Sequence, residues 1–442
     1  MGEIAGHILR SSRADQTEVS LIHSVEGLTR FAANEIHQNV AERDTQVRVR
    51  VMIGKRTGVA SGNQTDDESL AAIVANAEQI ARLQPENPEL SSLPEPAAVP
   101  SIDAFNEHTA ACGPERRAAG VAVILDRARK ATLQASGAFS TTQEEMYIAN
   151  SLGVEAYHPY TVGTLLTVLM GATGSGYAGA ASLDIDQIDA GAIAETAVEK
   201  ALSSRDPEEI EPGSYTVILE EEAMADLLFY LGYMGLGALS VQEKRSFLTG
   251  RLGEQVASEM VTLWDDGTDP RTIPLPFDFE GSPRQRVMLI EKGIARGVVY
   301  DSFTAGREPG ASNTGHGLPA PNTTGPVPTH LFLAAGNVTK EEMLASTERG
   351  IWVTRFHYTN TVHPVKTILT GMTRDGTFLI EDGKIRRPLR NLRFTQSILE
   401  ALGGIDMLGS TLKLCKRSFG PFAVCAPAAR IQRFTFTGTT EF

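Results

Sequence analysis

Asp206-Pro207-Glu208-Glu209-Ile210-Glu211-Pro212-Gly213 divides the chain. Its carboxylates repel one another. Its two prolines each remove a backbone donor, so no regular element runs through it. Before it, strand-like and helix-like patterns alternate; after it, short strands and turns dominate. The reading is an α+β protein, with an N-terminal α/β domain over 1–205 and a β-rich C-terminal domain of antiparallel hairpins over 206–442.

In the first half, Val47, Val49, Val51 and Ile53 alternate with Arg48 and Arg50, the period-two pattern of a half-buried strand over 46–53. Residues 57–62 read as a return strand. Asp66 and Asp67 open a helix reaching about residue 82, with Leu70, Ile73, Val74, Ala77, Ile80 and Ala81 on one face. Five prolines between 85 and 100 predict an extended connector. Pro114 starts a helix over 114–133. Strands are expected over 138–149, 154–158 and 160–172, and a helix over 186–203.

In the second half one helix is expected, over 222–236. Glu291-Lys292-Gly293, Arg374-Asp375-Gly376 and Glu381-Asp382-Gly383 have the composition of hairpin turns. Lys384, Arg386, Arg387, Arg390 and Arg393 form a basic run, read as a solvated hairpin face.

With 40 Lys+Arg against 54 Asp+Glu, the net charge is −14. That balance opposes general binding to nucleic acid or anionic membrane. No apolar stretch has the length and continuity of a spanning helix, and no signal peptide is visible. Three scattered cysteines (Cys112, Cys415, Cys425) make no disulfide framework, so a cytoplasmic location is expected.

Gly174-Ser175-Gly176-Tyr177-Ala178-Gly179 matches a dinucleotide-binding spacing, but the next helix starts too late and the next strand too far on. It reads as a flexible loop. Asp184, Asp186 and Asp189 fit helix capping better than a calcium loop. His316, His357 and His363 are dispersed. With Cys415 they would suit zinc in donor type, though no spacing demands it.

Several blocks resemble the TldD/PmbA family, whose PmbA branch is also called TldE. Gly27-Leu28-Thr29-Arg30-Phe31-Ala32-Ala33-Asn34-Glu35-Ile36-His37-Gln38 is similar to an N-terminal family segment. Leu252-Gly253-Glu254-Gln255-Val256-Ala257-Ser258, then Asp265-Asp266-Gly267-Thr268, resemble its most recognisable block. Leu289-Ile290-Glu291-Lys292-Gly293, Gly350-Ile351-Trp352-Val353 and Phe378-Leu379-Ile380-Glu381-Asp382-Gly383 continue the likeness in order.

Active TldD-type members are zinc metallopeptidases with His-Glu-x-x-x-His on a helix and a cysteine near the C-terminus. The resemblance places Phe229 at the first His, Tyr230 at the Glu and Met234 at the second His. Phe has no lone pair and a thioether is a poor zinc ligand. A phenol is a poor base at neutral pH. Cys415 falls near the family's cysteine, where Lys416 and Arg417 would favour its thiolate.

The resemblance therefore implies a non-catalytic PmbA/TldE-like pseudoenzyme: no metal or catalytic residue in this chain, and zinc only in a TldD-type partner. The dimer, with that homologue or with itself, would take an unfolded or extended peptide, bound by strand addition. Asn313, Gly317, Thr359 and His363 bound the two loops expected to line the cavity. One alternative is a stand-alone hydrolase or peptidase with a site relocated to His316, His357, His363 and Cys415, which requires those groups to converge. The other is a peptide-binding homodimer without chemistry.

Overall fold

The computed structural model describes residues 1–416 and 422–440. The first half runs α1 (Gly2–Ser11), β1 (Gln16–Ala32), β2 (Glu35–Ile53), β3 (Arg56–Gly62) and α2 (Asp67–Leu83). It continues through α3 (Glu107–Ala110), α4 (Pro114–Lys130), β4 (Gln134–Asn150), β5 (Glu155–Met170), β6 (Ser175–Ser182) and α5 (Ala190–Ser203). One antiparallel sheet, ordered β3-β2-β1-β4-β5-β6, holds all six strands.

This half is built twice. A helix, a three-stranded meander and a closing helix (α1 to α2) are followed by the same order from α4 to α5, and the two meet at β1 and β4. The same device seats both closing helices. A Cβ on Gly58 of β3 would stand 2.1 Å from the Ala77 carbonyl oxygen and 2.4 Å from the Ala81 nitrogen. A Cβ on Gly176 of β6 would stand 2.2 Å from the Ala197 oxygen and 2.5 Å from the Ala201 nitrogen. Glycine on the strand and alanines four apart on the helix let backbone meet backbone.

That packing corrects the reading of 174–179 as a flexible loop. The segment forms most of strand β6, and its glycines admit a helix rather than a nucleotide. The strands expected over 154–158 and 160–172 are one strand, β5. Pro159 sits opposite Glu145 of β4, in a part of β5 that β6 does not cover, so its missing donor breaks no second ladder. The expected helix over 186–203 is a 3₁₀ turn (Ile185–Gln187) and then α5, whose first amides bond the Asp189 carboxylate.

The second half contains β7 (Gly213–Leu219), α6 (Glu221–Gly235), α7 (Ala238–Gln242), β8 (Leu263–Asp265), β9 (Val287–Glu291), β10 (Ile294–Ala295), α8 (Ser302–Gly306), β11 (His330–Leu333) and α9 (Lys340–Ala345). It then runs through β12 (Arg349–His363), β13 (Ile368–Glu381), β14 (Lys384–Pro388), β15 (Leu392–Ser397), α10 (Ile398–Gly403), β16 (Ile405–Leu408), β17 (Lys413–Lys416), β18 (Ala423–Ala426) and β19 (Ala429–Thr439). Two sheets form, β10-β9-β8-β11-β18-β17 and one containing β12-β7-β19-β15-β13-β14. Most pairs are antiparallel; β7–β12 and β11–β18 are parallel. The apolar side of α6 lies at the centre of the largest core cluster, with Leu227, Leu228 and Leu231 buried among residues of both sheets.

Two of the three expected turns reverse the chain, at Lys292-Gly293 and Asp382-Gly383, both with positive φ. Arg374-Asp375-Gly376 does not. Asp375 (φ 56°) and Gly376 (φ 124°) are a bulge inside β13, where the pairing with β12 slips between Val353 and Arg355. The bulge turns Asp375 toward Arg355 (2.7 Å) and Ser175 of the first half (2.7 Å).

The acidic divider is anchored by the basic run. Glu208 pairs with Arg387, Glu209 with Arg390 (3.1 Å), and the Arg390 amide bonds the Glu208 carbonyl. Among the described residues no helix is long and apolar enough to cross a membrane.

Candidate functional site

Helix α6 begins with three consecutive carboxylates, Glu220 at its N-cap and then Glu221 and Glu222. Anions at this end oppose the positive pole of the helix. Each carboxylate meets a lysine from a different element: Lys200 of α5 on Glu220 (2.6 Å), Lys340 of α9 on Glu221 (3.1 Å) and Lys413 of β17 on Glu222 (3.1 Å). Although burial opposes ionisation of Glu220, the Lys200 and Lys340 charges hold its carboxyl below the ordinary range. The Trp352 indole also donates to Glu220 (2.7 Å). The helix is thereby pinned between the two halves of the chain.

Beside these pairs lies a cleft of about 480 Å³, walled by Tyr177–Ala181 of β6 and by residues 411–414 leading into β17. β6 bonds β5 along one side and β17 bonds β18 along one side; among the described residues neither has a ladder partner on its other side. A second cleft, of about 610 Å³, lies at the other end of β6, where Ser175 faces Arg374 and Arg390. Arg355, stacked 4.5 Å over the Tyr177 ring, stands where β6 passes from one cleft to the other.

Farther along α6 the side chains are Asp226, Phe229, Tyr230 and Met234. Met234 is buried in the central core together with Cys415. Phe229 packs edge-on against Tyr230 and Phe422, at 5.5 and 5.7 Å between ring centres. The Tyr230 hydroxyl donates to the Thr359 carbonyl, and the Thr359 hydroxyl bonds Asp226 at 2.5 Å. This face of the helix is apolar or occupied with β12. Phe, Tyr and Met here do not make a zinc donor set: the phenyl and thioether offer no suitable lone pair, and the phenol is engaged elsewhere.

The structure places the other candidates apart in role. His357 lies on β12, T-shaped against Tyr358 at 4.5 Å, and its buried Nδ1 has no hydrogen-bond partner among the described residues. Burial, then the charges of Arg374 and Arg355, pull its pKa below the ordinary imidazole value. His363 is exposed at the end of β12, its Nδ1 3.4 Å from the Lys366 amide. Cys415 is buried on β17, beside α6; Arg417 lies outside the described residues. His316 is fully buried, with Nε2 2.8 Å from Asp265 and Nδ1 2.9 Å from the Thr314 hydroxyl. Among the described residues the one group of three convergent metal-ligand types is His108, Asp184 and Asp186, in the first half. Arg116 already pairs with Asp186 there.

A dense ionisable cluster around His316 was not legible in the sequence. Asp265 also accepts the His330 amide (2.6 Å), and His330 Nε2 meets the Ile273 carbonyl (2.9 Å). Burial alone would raise the Asp265 carboxyl, but His316 brings it down to about 2. Burial pushes His330 down to about 3. Asp278 bonds the Glu280, Ser282 and Gly317 amides; burial and the Glu280 charge lift it to about 8. The Arg284 guanidinium, 4% exposed, lies in the fields of Asp265 and Asp278, with no hydrogen bond among the described residues. At the joint between the halves, Arg50 holds Glu18 (2.5 Å) and Glu280 (3.2 Å). The sequence signals were two and separate: Asp265 lies in a block that resembles the family, and His316 stands out as a candidate, but nothing in the spacing joined them.

Comparison with known proteins agrees with this architecture. Residues 17–81 match PmbA/TldA metallopeptidase domain 1, 114–205 its central domain and 212–438 its C-terminal domain. The first two matches fall on the two copies of the repeated unit. A metalloprotease TldD homolog from Haemophilus influenzae is 28% identical over 431 residues, covering 90% of this chain and 87% of that protein. A TldD homolog from Buchnera aphidicola subsp. Acyrthosiphon pisum is 28% identical over 257 residues, 55% of this chain and 52% of that one. The crystal structure of TldE from Thermococcus kodakarensis superposes with a TM-score of 0.89 at 21% identity, covering 99% of this chain and all of that one. The repeated N-terminal sheet, the two C-terminal sheets and the three matched domains together show that this chain belongs to the PmbA/TldD metallopeptidase family.

Proposed function

We propose that this chain is a metal-free subunit of a TldD/TldE-type peptidase, which pairs with a zinc-bearing homologue and helps hold an extended peptide substrate. The observation that supports this is the state of α6. The helix is kept, pinned at its N-terminus and seated in the core, while Phe229, Tyr230 and Met234 fill the metal-motif positions with an aromatic edge contact, a bond to Thr359 and core packing. The cleft at its N-terminus favours peptide over a small ligand, because β6 and β17 beside it each leave one backbone edge without a ladder partner among the described residues, on which an extended chain can add hydrogen bonds. No group of three metal-ligand types among the described residues includes His316, His357, His363 or Cys415, so the geometry gives the relocated site no support.

The test is reconstitution. This chain and a zinc-bearing homologue from the same source are purified separately, mixed, and followed by size exclusion and by cleavage of an unfolded peptide. The subunit reading expects a stable complex and faster cleavage by the mixture than by the homologue alone. No association, or equal rates with and without this chain, would overturn it.

A further inference from the structure

The clefts differ in their unclaimed charge. In the 480 Å³ cleft the lysines and glutamates that line the α6 N-terminus are matched, Lys200 to Glu220, Lys340 to Glu221 and Lys413 to Glu222. In the 610 Å³ cleft most charges are also claimed. Asp375 takes Arg355 and Ser175, Asp206 takes the Thr173 hydroxyl, and Arg390 takes Glu209. Arg374 is the exception: among the described residues no hydrogen bond or ion pair engages its guanidinium. It stands opposite Arg355 across the β12–β13 pair, on the face that also presents His357 and its unpartnered Nδ1. The Arg374 guanidinium is open to the cleft and has no protein acceptor among the described residues, so its planar, directional donors are free for a ligand, and carboxylate is the group that matches them best.

Strand β6 connects the clefts. Its Tyr177–Ala181 edge lines the first and Ser175 the second. A strand added antiparallel to β6 runs from the first cleft toward the second, so its C-terminal end arrives beside Arg374. The geometry points to Arg374 as a carboxylate-reading subsite, which takes an ionised carboxylate of the bound peptide, either its C-terminus or an acidic side chain near that end. This inference rests on the peptide-binding reading and adds a substrate preference to it.

The experiment is fluorescence polarisation on the full chain with four labelled, extended peptides of one sequence. One has a free C-terminus; the second is its amide. The third and fourth are amides with Glu or Gln at the penultimate position. Binding of the free acid about tenfold tighter than its amide is expected for a terminal carboxylate, and of the Glu amide over the Gln amide for a side-chain carboxylate. Either pattern supports the subsite. Arg374→Gln is expected to bring the carboxylate peptide to the affinity of its neutral counterpart, and Arg374→Lys to keep part of the difference. A thermal melt of each variant confirms folding, and the comparison on the unaltered chain needs no variant. Equal binding of all four peptides would overturn the subsite while leaving peptide binding intact. No binding of any peptide would overturn both.

Discussion

At the N-terminus of α6 a cleft is open, while farther along the helix Phe229, Tyr230 and Met234 pack into or against the core; around Asp265 the acids and imidazoles are plentiful and solvent is excluded. A hydrolytic centre needs both properties in one place: donors or bases, and access for substrate. Neither of these two regions combines them. The acids and imidazoles of the Asp265 cluster are bonded from within, His316 on Asp265 and Thr314, His330 on Ile273 and Thr329, Asp278 on three backbone amides, while the buried Arg284 guanidinium meets their charge without a hydrogen bond among the described residues. Shifted ionisation there reports structure, not chemistry. Perturbed groups point to function only where something can reach them.

The largest effect should come from breaking the sealed region. Asp265→Ala removes the acceptor for His316 and the His330 amide and leaves the Arg284 charge without one of its counterions. The expected loss is about 3–5 kcal/mol by urea unfolding. A loss of under about 1 kcal/mol, typical of surface substitutions, would mean the cluster is not structural.

The α6 side of the comparison is graded. Met234→His puts an imidazole into the apolar core and should cost about 2–3 kcal/mol. Phe229 is only partly buried, and Phe229→His should cost about 1 kcal/mol. Equal costs would place Met234 nearer the open cleft than its burial shows.

Acid should act chiefly through the sealed region. His330, ordinarily near 6.5, is held at about 3 when folded, and His316 is also lowered. The unfolded chain then binds more protons between those values, so stability falls as pH drops through that window. Glu18 runs the other way. Burial raises it from 4.5 to about 7 against the pull of Arg50, so its contribution is lost as pH rises through that range. Urea midpoints against pH should therefore fall on both sides of an optimum. Asp278, lifted to about 8, adds to the high-pH arm, so Glu18→Gln should flatten it in part, and an unchanged arm would contradict the assignment.

The smallest effect is expected at the divider. Arg387→Gln breaks an exposed pair with Glu208 and should cost under about 1 kcal/mol. A larger loss would make the acidic segment a structural brace between the halves rather than a pinned linker.

What the sequence disclosed follows physical range. Periodicity found α2, α4 and α6, because one face of each is apolar and the pattern is local. It misread 174–179 and 374–376, because glycine marks a turn, a bulge and a close helix contact alike. The meeting of Glu208 with Arg387, and of Asp265 with His316 fifty-one positions on, depends on folding that no local pattern encodes. The α6 substitutions could be singled out only through the family resemblance. The side chains themselves read as an ordinary buried helix face.

The central claim is that this chain brings no metal to its family's chemistry. Elemental analysis of the purified chain after dialysis against zinc, with peptide cleavage measured on the same sample, tests it most directly. The account expects zinc far below one equivalent and no cleavage. One bound zinc per chain with cleavage by the chain alone would contradict it.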